Sequence, residues 1–221
     1  MADHLEDDEQ VEALKRWWDE NGRSTIVAVI VAVGGTLGWQ QYQGWDAQQT
    51  AAAADTWAQA EAALNADVPS LQAEGERLAQ NLIDTHSNTT YAQFAGMLLA
   101  KRAVEKGELS AAEQYLRDAL AAGDSQSELG QLIQLRLARV LAATGEESAA
   151  LAILNQSNGS LPAAYAIARG DLHLAAGRQR EALNAYLEAR AATLDLGSPP
   201  GLLEAKITSL ESRLANEEQS S

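Results

Sequence analysis

The chain has 221 residues, a formal net charge of −15 and no cysteine. A surface this acidic disfavours nucleic acid and anionic lipid headgroups as partners. The missing thiols exclude a cysteine nucleophile, a redox pair and a cysteine zinc site.

Residues 1–23 open the chain as an acidic tail, with the run Glu6 to Glu9 read as solvated. From Ser24 to Trp45 no Asp, Glu, Lys or Arg occurs. In a helix these 22 residues rise about 33 Å, close to one hydrocarbon core. Ile26, Val27, Val29, Ile30, Val31, Val33 and Leu37 contribute about −2 to −4 kcal/mol on the insertion scale. Gly34, Gly35 and Gly38 weaken that gain. A buried soluble helix and a cleaved signal peptide are the competing readings. The aromatic residues at the two ends, Trp17 and Trp18 before and Trp39, Tyr42 and Trp45 after, fit interfacial belts better. The long acidic n-region and the distant Ala51-x-Ala53 fit a cleaved signal poorly. An uncleaved transmembrane helix over 24–45 is therefore predicted. Trp17, Trp18, Gly34, Gly38 and Trp39 are its candidate contact residues. Gly34 and Gly38 either form a small-xxx-small face for a partner helix or face lipid. Lys15, Arg16 and Arg23 precede this segment and the next basic residue is Arg77. The positive-inside rule thus places the N-terminus in the cytoplasm and everything beyond Trp45 on the exported side.

Residues 46–221 read as one all-α domain. A helix is expected over 47–66 and its partner over 69–85, with Pro69 at the start. Breaks are expected at 65–69, 87–90, 123–127, 155–162 and 197–201. Three segments then align in register: LAKRAVEKGELSAAEQYLRDAL, LARVLAATGEESAALAILNQS and IARGDLHLAAGRQREALNAYLEA. Their turn glycines, Gly107, Gly145 and Gly177, lie 38 and 32 residues apart, near the roughly 34-residue period of tetratricopeptide repeats. Small residues (Ala100, Ala138, Gly170) face small residues on the following helix (Ala112, Ala150, Ala182), so paired helices approach closely. Leu116, Leu154 and Tyr186 fill the gap to the next pair. The glycines are expected in the left-handed conformation that ends the first helix of each pair. After Pro199 and Pro200, LLEAKITSLESRLA reads as a capping helix, with a frayed end from Asn216 to Ser221. The predicted fold is thus a single N-terminal transmembrane helix followed by a tetratricopeptide-like helix-hairpin solenoid.

No catalytic constellation accompanies this pattern. His4, His86 and His173 are scattered, without a second ligand at metal spacing. No nucleophile elbow, phosphate loop or dinucleotide fingerprint occurs. No enzyme activity, metal or cofactor is expected. Repeat arrays bind instead, with the first helix of each pair lining the concave side. The positions read as pointing into that groove are Phe94, Met97, Lys101 and Glu105, then Leu135 and Arg139, then Ile167 and Asp171. The alternative for Phe94, Met97, Leu135 and Ile167 is packing between neighbouring repeats.

The segment from Val11 to Gly22 (VEALKRWWDENG), then Gly34 to Trp39 (GGTLGW), and the LRLARV helix at Leu135 to Val140 resemble the YfgM family, ancillary subunits of the bacterial SecYEG translocon. The resemblance runs the whole chain. It implies a single-pass inner-membrane protein with a periplasmic repeat domain, associated with the translocon and with a membrane-anchored peptidyl-prolyl isomerase chaperone. It implies too that newly exported proteins pass by this route to later chaperones. Two other roles stay open: an envelope-assembly adaptor, or a modulator of a cytoplasmic stress-response regulator acting through the tail. Nucleic acid is not expected as a partner.

Overall fold

The computed structural model of the protein describes residues 3–156, 159–193 and 201–219. Among these, every regular element is a helix: α1 (Asp3–Leu64), α2 (Pro69–Thr85), α3 (Thr90–Lys106), α4 (Leu109–Ala121), α5 (Glu128–Ala143), α6 (Glu147–Leu154), α7 (Pro162–Ala175), α8 (Gln179–Thr193) and α9 (Gly201–Gln219). The chain divides into two compact units, Met1–Ala51 and Ala52–Ser221.

The first unit consists of helical turns of α1. The segment expected as a solvated tail is helical from Asp3 onward. The sequence carries no proline here, and Gly22 is accommodated under the Trp18 indole, so nothing stops the helix. Ile30 and Val31 are 64% and 67% exposed, and Trp39 is 62% exposed. Among the described residues α1 is the one helix long and apolar enough to cross a membrane.

The second unit is a stack of helix pairs. Residues 52–64 of α1 pack with α2 and α3 through Ala53, Ala60, Ala79, Leu82, Ala95 and Leu99, with Trp57 against them. A Cβ on Gly75 would lie 2.6 Å from the Leu64 side chain and 2.9 Å from the Ala60 carbonyl oxygen, so α2 sits on the α1 backbone. The pairs α3–α4 and α5–α6 share one core with α7. A second core joins α7 and α8 to α9 through Tyr186, Leu203, Ile207 and Leu210.

The repeat register has a local cause. Among the described residues the positive-φ positions are Gly107 (79°), Gly145 (87°) and Gly177 (76°). At each, the next residue's N–H reaches five residues back: Glu108 to Ala103, Glu146 to Leu141 and Arg178 to His173, at 2.8, 2.8 and 2.9 Å. The glycine N–H groups bond three residues back, to Val104, Ala142 and Leu174. This is the Schellman arrangement, repeated in all three copies. Ala112, Ala150 and Ala182 are wholly buried at the crossings. A Cβ on Gly170 would collide with the Tyr186 ring, so α7 passes close to α8 at Tyr186.

Starts are equally local. Pro69 and Pro162 occupy the first turns of α2 and α7. Thr89 and Ser127 cap α3 and α5 by accepting from the N–H of Ala92 and Gly130 at 3.3 and 3.0 Å. The 197–201 break falls mostly outside the described residues, which resume at Gly201. The end expected to fray from Asn216 is helical through Gln219; Ser220 and Ser221 lie outside the described residues.

Candidate functional site

The first helices of the pairs, α3, α5 and α7, carry the groove. Between α3, α4 and α5 lies an open cavity of about 390 Å³. Met97, Val104, Leu109, Leu116 and Val140 make its apolar lining, and Lys101, Arg136 and Arg139 stand around it. A second hollow of about 250 Å³ between α5, α6 and α7 is lined by Ala138, Ala142, Leu154 and Leu172 with Asp171. Arg139 belongs to both.

The eight positions expected in the groove therefore separate. Met97, Lys101 and Arg139 line the first cavity, and Asp171 the second. Three others take the alternative role, packing between neighbouring repeats. Leu135 is buried in the central core. Phe94 packs on Trp57, with ring centroids 5.7 Å apart, and meets Tyr91 edge-on at 6.3 Å. Ile167 packs on the core shared with α8 and α9. The physical reason is helical phase: residues three or four apart share a face, and the face toward the neighbouring hairpin takes the larger apolar side chains. Glu105 does not line either hollow; its carboxylate accepts from Arg102 at 3.0 Å and pairs with Lys101 at 3.7 Å.

Asp171 also differs from a free groove carboxylate. It accepts from the Tyr186 hydroxyl at 2.7 Å and pairs with Lys206 of α9. Burial, then the hydrogen bond to Asp171, push the Tyr186 hydroxyl far above its ordinary pKa. Lys206 stands 5.2 Å from the centre of the Tyr186 ring. This cluster locks the cap onto the last hairpin.

Arg136, Val104 and Val140 were missing from the expected set. Arg136 precedes Arg139 by one helical turn, and that i,i+3 spacing is the signal that places both on one face.

The other expected residues lie in the first unit. Trp17 and Trp18 are about half exposed, with centroids 6.4 Å apart. Trp39, Tyr42 and Trp45 form a ladder with spacings of 6.2 and 6.4 Å. Trp18 and Trp39 are 21 residues apart, roughly 32 Å along a helix, so the two aromatic groups bracket one hydrocarbon thickness. A Cβ at Gly34 or Gly38 would meet nothing within 4 Å.

Among the described residues no three His, Asp or Glu side chains gather as a metal site. His173 accepts at Nδ1 from Arg178 Nε at 3.0 Å, and Arg178 also pairs with Glu147. That contact holds the α7–α8 turn against α6.

A family model described as a tetratricopeptide repeat-like domain matches residues 15–212. Relatives named ancillary SecYEG translocon subunit include the following three. The Haemophilus influenzae protein is 38% identical over 192 residues, covering 86% of this chain and 91% of its own. The Escherichia coli protein is 32% identical over 187 residues, covering 84% and 88%. The Neisseria gonorrhoeae protein is 28% identical over 214 residues, covering 96% and 100%. No solved structure matches. The paired helices and the matched model define a helical-repeat protein of the tetratricopeptide-like class. Within that class, the chain belongs to the YfgM family of ancillary SecYEG translocon subunits.

Proposed function

We propose that this chain is an ancillary, non-enzymatic subunit of the SecYEG translocon, held in the bacterial inner membrane by residues 24–45. The likeness to translocon subunits over most of both chains carries this reading. Its N-terminus is cytoplasmic and its repeat domain periplasmic, in keeping with the basic residues that precede the apolar segment. The repeat domain scaffolds periplasmic chaperones, among them a membrane-anchored peptidyl-prolyl isomerase. Newly exported chains are thereby passed onward as they leave the channel.

Site-specific photocrosslinking from positions in 24–45 and just beyond Trp45, followed by detergent co-isolation, tests this. Adducts to translocon subunits and recovery of the isomerase are expected. Recovery of cell-wall enzymes in their place would establish an envelope-assembly adaptor and overturn the proposal.

A further inference from the structure

The α3–α5 groove has a charge that sets it apart from the rest of an acidic protein. Elsewhere in the second unit most cations are matched by carboxylates, Arg213 of α9 being an exception among the described residues. Arg102 and Lys106 meet Glu76, Arg169 meets Glu188, and Arg178 meets Glu147. Arg190 and Lys206 meet Glu204 and Asp171. Arg136 and Arg139 pair with no carboxylate among the described residues, although the chain holds 31 Asp and Glu against 16 Lys and Arg. Lys101 is held by a loose contact with Glu105, 3.7 Å, and its side chain is 67% exposed. Three cations thus ring an open apolar hollow in which Val104 remains 45% exposed.

Each half of this arrangement selects a feature of the occupant. A hollow of about 390 Å³ lined by Met97, Val104, Leu116 and Val140 takes one or two side chains of leucine size. Guanidinium groups one turn apart present forked donors to carboxylates beside that anchor. The net charge of −15 disfavours an acidic ligand on the surface at large, so a hollow ringed by three cations is a favoured docking position for it. A basic segment would meet three like charges at the rim.

We infer that the α3–α5 groove binds a segment of another protein in which one or two leucine-sized apolar side chains are flanked by Asp or Glu. This deepens the reading of the repeat domain as the partner-binding part and rests on it.

The test uses the full chain in lipid nanodiscs and a fluorescent octapeptide pool, two central leucines flanked by mixed Asp and Glu. Saturable binding is expected. It should weaken roughly tenfold when the pool carries Asn and Gln instead, and by a similar factor in Arg136→Gln with Arg139→Gln. Added salt should weaken it further, because the charged groups stand at an exposed rim. Val104→Glu, which places a negative charge in the hollow, should abolish it. All three positions are exposed, so the thermal midpoints should match that of the unaltered chain. Absence of saturable binding overturns the inference, as does equal binding of the neutral pool or undiminished binding by the double variant. Self-association that the double variant abolishes would make a second copy the occupant and also overturn it. Co-isolation of the translocon with the same double variant reads the functional proposal separately: loss of peptide with the translocon retained supports the groove alone, and peptide binding without translocon recovery defeats that proposal and leaves the groove standing.

Discussion

Asp171 illustrates how one residue acquires a role that its repeat position does not reveal. Its carboxylate ties Tyr186 of α8 and Lys206 of α9 to α7. Asp171→Ala strands the buried Tyr186 hydroxyl, so it should cost about 1–3 kcal/mol in urea unfolding. Arg139→Ala, at an exposed position without an ion pair among the described residues, should cost less than about 0.5 kcal/mol. His173 supplies a pH dependence. Burial lowers its pKa first, and Arg178 lowers it further; Glu181 and Glu147 oppose. As pH falls, the unfolded chain therefore takes up the proton before the folded one. The stabilisation is complete above about pH 6.5 and declines as pH drops through that value, because the protonated imidazole is disfavoured by burial and by the Arg178 charge in the folded chain. Thermal melts between pH 8 and pH 5 should show this decline, and His173→Gln should flatten it; parallel curves for the two proteins would refute the assignment.

At the scale of the helix pair, two kinds of small residue have separable duties. Gly107, Gly145 and Gly177 serve the backbone. A Cβ at Gly145 would meet nothing within 4 Å, so Gly145→Ala meets no steric barrier. Its cost is the left-handed φ itself, about 1–2 kcal/mol. Ala150 serves packing, being wholly buried where α6 crosses its neighbours. Ala150→Leu must part the helices, at about 1–3 kcal/mol. Chemical denaturation of both variants distinguishes these causes: Gly145→Asn should recover part of the glycine loss, since Asn tolerates the left-handed region, whereas no substitution larger than alanine should be tolerated at 150.

The two units of the molecule call for different solvents. In Met1–Ala51 the large apolar side chains from Ile26 to Leu37 are about half exposed or more. In Ala52–Ser221 the aliphatic core is covered by its own helices. Residues 52–221 alone should therefore be soluble and helical by circular dichroism. A version beginning at Pro69 should melt at lower temperature, because Ala53, Trp57, Ala60 and Leu64 no longer cover α2 and α3. For the proposed topology, a reporter active only outside the cytoplasm and fused after Ser221 should be active. Protease added to spheroplasts should digest the repeat domain; full protection would reverse the orientation.

The amino-acid sequence by itself determined what depends on neighbours along the chain. The apolar run, the three turn glycines and the prolines at helix starts act within a few residues, and the Ala/Gly positions mark close crossings by size alone. The interior faces were only partly legible in that way. Phe94 and Ile167 have the pattern of groove residues, and the contacts with Trp57 and with the cap's core that partly bury them come from distant segments. Gln93 is a further case: it is buried and donates to the carbonyl of Ala119, 26 residues on, at 3.1 Å. The same holds for the unpaired arginines. Ion pairing is decided by which carboxylates the tertiary fold brings within reach, so only the folded chain leaves Arg136 and Arg139 without one among the described residues while Arg102 and Arg178 are matched by Glu76 and Glu147.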